Sequence, residues 1–178
     1  MATRFDFDMM NGIVNVYDAK FAYSGFPDWA GRFRKGGGAP LCLWDMKKYL
    51  PGENISAEDQ MVLDCFKDLG CDIQWCPDRD EEYADTPFVN VSLSWSPVEP
   101  EVYWVNSKHQ AIPVTEDDIE EVMRNIRFYR HDITIKKTRK YKTIYVNNLT
   151  MFAANPGLGY NYSGEVYPYD GEEEEVPF

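Results

Sequence analysis

Basic and aromatic side chains occur together along one stretch in the last third of the chain. Between residues 124 and 142 there are eight Lys or Arg residues against one acid, Asp132, which gives the stretch a charge of +7. Cations that follow phosphates and rings that stack on bases are the two requirements for binding a single nucleic-acid strand. The pattern predicts a strand-binding hairpin, whose candidate contact residues are Tyr129, Arg130, Lys136, Lys137, Arg139, Lys140, Tyr141, Lys142 and Tyr145.

A second, smaller group of the same residue types precedes three consecutive glycines, Gly36 to Gly38. A glycine run favours a flexible loop, and such a loop could fold over a bound strand. A second interpretation stays open, in which Trp29 and Phe33 pack in the core and the charges are simply solvated. The candidate contact residues of this group are Trp29, Arg32, Phe33, Arg34 and Lys35.

The charge of the chain is unevenly distributed along the sequence. The formal net charge of −12 argues, taken alone, against a nucleic-acid partner. However, no Lys or Arg follows Lys142, whereas six acids do, and four of these are Glu172 to Glu175. The sequence therefore combines a basic segment with an acidic end.

Patterns typical of enzymes and metal sites are missing, so we expect no catalysis, no catalytic residues, no cofactor and no metal. The spacings of Cys42, Cys65, Cys71 and Cys76 match no short zinc motif, and both histidines lie far from them. We expect these thiols to be reduced and half-buried. A phosphate-cradling Gly-x-x-x-x-Gly-Lys loop is also absent.

Alternating and β-branched stretches predict a chain built mainly of strands. The predicted strands are 13–23, 41–44, 71–76, 88–95, 102–105, 133–135 and 143–149. We expect one hairpin to join the first two and another to join 88–95 with 102–105. Ser56 and Thr115 each stand three residues before an acid, which predicts two helix starts, and Gly70 predicts the end of the first helix. The tryptophans expected in the core are Trp44, Trp75, Trp95 and Trp104.

Short strands with two interrupting helices predict a mainly β fold with two short helices. An oligonucleotide-binding (OB) barrel of five strands fits the strand count, and a β-sandwich fits it nearly as well. Residues 1–153 are predicted to form this domain. Residues 154–178 show no hydrophobic period, so we expect a disordered linker, whose tyrosines include Tyr167 and Tyr169, and a disordered acidic tail.

The chain ends in an acidic run that is followed by a valine, a proline and an aromatic residue. The residues of this end are Asp170, Glu172, Glu173, Glu174, Glu175, Val176, Pro177 and Phe178. It resembles the acidic tip of bacterial single-stranded DNA-binding proteins, and phage single-stranded DNA-binding proteins of the T7 type end similarly. The body is similar to the phage members only in strand content, size and basic hairpin.

This resemblance implies a single-stranded DNA-binding protein of phage replication or recombination that lacks strong sequence preference. The implied partners are single-stranded DNA and, through the tail, replication or recombination proteins. The implied location is the cytoplasm, that of a bacterial host if the chain is phage-encoded. No apolar run reaches the roughly 20 residues of a bilayer span, so we expect no membrane association. A homo-oligomer is left open.

Two other functions remain open at this point. An acidic protein that inhibits a host nuclease or defence complex by imitating DNA would explain the charge of −12. It would leave the basic stretch and the terminal Val176-Pro177-Phe178 without a role. The second of these hypotheses is a phage structural protein, which would form large assemblies and would have no affinity for single strands.

Overall fold

The computed structural model describes residues 3–22, 38–50, 52–77, 85–93, 101–105, 108–114, 129–137, 142–154 and 167–169. Within these ranges the chain forms one helix, α1 (Ala57–Asp68), and ten strands. The strands are β1 (Arg4–Asp8), β2 (Ile13–Tyr17), β3 (Gly38–Cys42), β4 (Gln74–Trp75), β5 (Pro87–Leu93), β6 (Glu101–Val105), β7 (Gln110–Pro113), β8 (Arg130–Lys136), β9 (Ile144–Ala154) and β10 (Tyr167–Pro168).

The strands form a curled, open sheet with the shape of a half-barrel. Seven of them are successive neighbours, in the order β1-β2-β8-β9-β6-β7-β10, while β5 pairs with β9 and in turn carries β3 and β4. The predicted mainly β class is confirmed. The closed five-stranded barrel is not formed, because the described sheet has more strands and its two ends, β1 and β10, do not pair with each other.

Strand β9 is the centre of the sheet and has three partners. β8 pairs with it antiparallel along one edge. Along the other edge β5 and β6 follow one another, and both run parallel to β9, with Leu93 opposite Val146 and Glu101 opposite Thr150. The predicted hairpin between 88–95 and 102–105 was therefore wrong. Alternation predicts which face of a strand is buried, but it does not identify the neighbouring strand.

The other predicted hairpin, between 13–23 and 41–44, forms only in part. Cys42 N donates to Lys20 O at 2.9 Å and Ala22 N donates to Pro40 O at 3.0 Å, so residues 20–22 lie beside 40–42. Strand β2 itself pairs with β1 and β8. The pairing of β8 with β9, which the sequence predicted across the basic turn, is confirmed.

Helix α1 begins and ends where the sequence predicts. Ser56 is its N-cap, and the Ser56 side chain accepts a hydrogen bond from Asp59 N at 3.2 Å. Gly70, just past the last turn, adopts a φ of +81°, which a glycine accommodates without strain. The second predicted helix, which begins near Thr115, lies outside the described residues. Among those that are described, no helix combines the length and hydropathy of a membrane span.

The core lies between α1 and the concave face of the sheet. The buried Phe66 ring of α1 contacts the rings of Phe5 and Phe7 on β1, with centroids 5.9 and 5.3 Å apart. Trp44 and Trp104 are buried, as predicted. The prediction was wrong for Trp75, because β4 is an edge strand and 49% of this residue is exposed. Trp95 lies outside the described residues.

None of the four cysteines forms a disulfide, and three of them are buried where half-buried thiols were expected. Burial raises the pKa of Cys42 to about 12 and that of Cys71 to about 11, so both thiols stay protonated at neutral pH. A protonated thiol is a poor nucleophile and a poor metal ligand. These cysteines therefore act as small apolar side chains in the core.

A separate, smaller cluster lies on part of the convex face of the sheet, and we call it the Tyr169 cluster. Its members are Tyr103, Val105, Ala111, Tyr129, Phe152 and Tyr169. β10 pairs with β7, and Tyr169 N donates to His109 O at 2.9 Å. Tyr169 is 7% exposed, so its assignment to a disordered linker was wrong. The domain boundary at residue 153 stays a prediction.

Candidate nucleic-acid interface at the hairpin end of the sheet

Lys136 and Tyr145 stand side by side on the convex face, at one end of the sheet. They are direct cross-strand partners in the β8–β9 pair, and Ile13 of β2 is the neighbour of Lys136 on its other side. Side chains of opposed residues share a face and lie about 5 Å apart. Lys136 is exposed and Tyr145 is half-buried, while Ile135 and Val146 point into the core. The predicted neighbourhood of a cation and an aromatic ring is therefore present.

Lys142 extends this surface. It is exposed and lies two residues before β9, on the connection that joins β8 to β9. We define the hairpin end as Lys136, Lys142 and Tyr145 together with the β1–β2 turn, residues 9–12, which lies beside them. Of the cations predicted to contact phosphates, Lys136 and Lys142 are the two that the described residues place in solvent at this end.

Arg130 lies elsewhere, against the Tyr169 cluster, and it is 3% exposed. Its Nε and Nη2 atoms donate to the two carboxylate oxygens of Asp132 at 2.8 and 2.9 Å. Its guanidinium carbon lies 4.9 Å from the Phe152 ring centroid and 5.3 Å from that of Tyr169. A guanidinium held by a carboxylate and two rings is not presented to solvent, so the structure gives Arg130 a packing role, and its predicted phosphate contact stays a prediction.

Tyr129 belongs to the same cluster, next to Tyr169, with ring centroids 6.4 Å apart. From Arg130 to Lys136 there are six residues of strand, which corresponds to about 20 Å. Tyr129 and Arg130 are therefore at the opposite end of β8 from Lys136. The sequence prediction joined two groups that the length of this strand separates.

Lys137 is buried as well, with 6% of its surface exposed. Its backbone N donates to Gly12 O at 2.8 Å. Its ammonium nitrogen lies 3.7 Å from where a Cβ on Gly70 would stand, which places the charge at the C-terminal end of α1. A cation there is stabilised by the carbonyl groups that end a helix. Lys137 therefore lies between the hairpin and the end of the helix, and it exposes much less surface than Lys136 does; its predicted contact with phosphates stays a prediction.

The β1–β2 turn is a part of this surface that the sequence prediction missed. Asp8 accepts hydrogen bonds from Asn11 N at 3.3 Å and from Asn11 Nδ2 at 2.8 Å. Gly12 follows with a φ of +66°. Met10, at the tip of the turn, is 98% exposed. The available signal was Asn-Gly between two alternating stretches, which is a strong indicator of a tight hairpin turn.

A cavity of about 530 Å³ opens between this turn and the end of α1. Met9, Met10, Leu69 and Lys137 are among its lining residues. Acids border the hairpin end on the β1 side, because Asp6 and Asp8 lie on the same exposed face as Lys136. A polyanion would therefore be attracted to the β8–β9 side of this end and repelled from β1.

Several predicted contact residues lie outside the described residues. In the glycine-loop group these are Trp29, Arg32, Phe33, Arg34 and Lys35. In the basic hairpin they are Arg139, Lys140 and Tyr141. In the acidic end they are Asp170, Glu172, Glu173, Glu174, Glu175, Val176, Pro177 and Phe178. Their roles stay predictions.

In the part of the chain that the structure describes, no three His, Cys, Asp or Glu side chains come together as metal ligands. Comparison of the chain with protein-family models, with curated proteins and with solved structures found no match.

Proposed function

We propose that this protein binds single-stranded DNA, with the hairpin end of the sheet as the contact surface. The observation that carries the proposal is the cross-strand pair of the exposed Lys136 and the half-buried Tyr145, with the exposed Lys142 near it in the same hairpin. A cation and a ring on one exposed face match the repeating unit of a single strand, a phosphate and a base. The charge of +7 between residues 124 and 142 supports the same ligand.

The expected energetics follow from these few groups. Stacking of a base on Tyr145 would contribute about 1–3 kcal/mol, and it would tolerate any base because every base has an aromatic face. Each cation that neutralises a phosphate makes log K fall by about 0.7 per decade of salt on a single strand. Lys136 and Lys142 together would thus account for about 1.4 of the salt slope.

The acidic end, residues 170–178, has a separate role in this proposal. It follows directly after Tyr169, which is buried on the convex face of the body. Its carboxylates would attract a basic partner protein, and Phe178 with its free carboxylate would enter an apolar pocket there. We propose replication and recombination proteins as these partners. We also propose that the half-barrel is related to the oligonucleotide-binding barrel.

The test is a titration of labelled oligo-dT, followed by fluorescence anisotropy at several salt concentrations. Lys136→Gln combined with Lys142→Gln should weaken binding and lower the salt slope by about 1.4. The control, Lys47→Gln combined with Lys108→Gln, removes the same charge from two exposed lysines outside the hairpin end and should leave the slope unchanged. An unchanged slope in the first variant would exclude the hairpin end as the contact surface. Failure of the wild-type protein to bind in dilute buffer would refute the proposed function.

A further inference from the structure

Two exposed methionines form the tip of the hairpin end, and the proposed strand-binding groups do not account for them. Met10 is 98% exposed, more than any other large apolar side chain in the described residues, and Met9 is 37% exposed. Single exposed apolar residues are common on protein surfaces. Two in succession on a tight turn, beside the exposed Lys136, need a further explanation.

Hydrogen bonds on both sides of Met10 hold the backbone of the turn in place. Asn11 is tied to Asp8 by two hydrogen bonds, and Gly12 O accepts from Lys137 N at 2.8 Å. The backbones of Gly12 and Lys137 lie so close together that a Cβ on Gly12 would be 2.2 Å from Lys137 O. Lys137 is in turn buried against the end of α1. The apolar tip is thus supported by the sheet and by the helix.

Met10 also lies close to the groups that would hold the strand. Ile13, Lys136 and Tyr145 form a row across three adjacent strands, which spans about 10 Å. Met10 is three residues from Ile13, so its backbone is at most about 10 Å from that row. A strand whose phosphates meet Lys136 and Lys142 would bring its bases within reach of the methionine side chain.

We propose that Met10 is a wedge that inserts between two neighbouring bases of the bound strand, an inference that rests on the proposed function. Apolar side chains, methionine among them, unstack base steps in this way in other DNA-binding proteins. The methionine side chain is unbranched and polarisable, and its sulfur makes favourable contacts with aromatic rings. Tyr145 and Met10 would then hold bases from two sides, and Lys136 would hold the phosphate.

The experiment uses an oligo-dT that carries one 2-aminopurine between two adenines. Stacking on adenine quenches this base, so a wedge that separates the stack raises its fluorescence. Met10→Ser should abolish the rise and weaken binding by about fivefold to tenfold, the equivalent of one thioether–ring contact. The matched control is Met61→Ser, because Met61 is a methionine with 54% exposure on α1. It should behave like the wild-type protein in both readouts.

Thermal unfolding of both variants should match that of the wild-type protein, since both side chains are exposed. The same rise of fluorescence in Met10→Ser as in the wild-type protein would overturn the wedge and leave the proposed function intact. Equal losses in Met10→Ser and Met61→Ser would also overturn it. A wild-type protein that does not bind the oligonucleotide in dilute buffer would overturn the proposed function, and the wedge with it.

Discussion

Arg130 and Lys136 lie on the same strand, β8, and point to the same face, yet we expect their substitutions to have opposite effects. Arg130→Met removes a guanidinium that is 3% exposed and bound to Asp132 through two hydrogen bonds. Lys136→Met removes an exposed cation at the hairpin end. The first change should reduce stability without altering DNA binding. The second should weaken DNA binding without altering stability.

The magnitude for Arg130 follows from its surroundings. Removing one partner of a buried ion pair costs about 3–5 kcal/mol, because the other charge is left without compensation. Asp132 is 16% exposed and also accepts a hydrogen bond from Asp18 N at 2.9 Å, which places the cost near the lower end. The lost contacts with the rings of Phe152 and Tyr169 add about 0.5–1 kcal/mol each. We therefore expect Arg130→Met to lower the free energy of unfolding by about 4 kcal/mol, against less than about 0.5 kcal/mol for Lys136→Met.

Urea unfolding followed by tryptophan fluorescence measures the stabilities, and the oligo-dT titration, run where both variants are folded, measures binding. Lys136→Met should lower the salt slope by about 0.7, and Arg130→Met should leave it unchanged. The double variant Arg130→Met with Asp132→Asn should recover much of the lost stability, since no buried charge then remains unpaired and an amide oxygen can still accept from Asp18 N. A loss below about 1 kcal/mol in Arg130→Met, together with a reduced salt slope, would refute the structural role of Arg130.

Two further substitutions test the core and the turn. Burial, assisted by the charge of Lys20, lowers the pKa of His131 from 6.5 to about 4. As the pH falls from 6.5 to about 4, this histidine therefore takes up a proton in the unfolded chain but not in the folded one, which lowers the stability of the folded state. The corresponding stability is fully present at pH values well above 6.5, and urea unfolding at pH 7.5 and 5 should show the wild-type protein losing about 2 kcal/mol more than His131→Gln does. A His131→Gln protein that retained the wild-type pH dependence would contradict the assignment. Gly12→Ala should lower the free energy of unfolding by at least about 2 kcal/mol more than Gly52→Ala does. Both glycines have a positive φ, but only a Cβ at position 12 would meet a backbone atom, Lys137 O, at 2.2 Å. Equal unfolding free energies for these two variants would show that the turn is not pressed against the hairpin.

The candidate site illustrates how far residue types and spacing carry a prediction. Alternation along residues 133–149 correctly indicated a β8–β9 hairpin with Lys136 and Tyr145 on its exposed face. The same reasoning included Arg130 and Lys137, because a lysine or arginine in a basic stretch is normally solvated. Burial of Arg130 required Tyr169, which is 39 residues away along the chain. Burial of Lys137 required the end of α1, and neither contact leaves a local pattern.

The sequence by itself determined the features that depend on a few consecutive residues: the mainly β character, the Ser56 cap, the glycine stop of α1 and the separation of basic and acidic charge. These follow from backbone preferences and from hydrogen bonds within one or two turns of chain. The tertiary structure alone decided that β5 and β6 both join β9, that the sheet stays open, and which lysines and arginines face water. Such outcomes depend on segments that meet only when the chain closes on itself, and a linear pattern does not encode which segments those are.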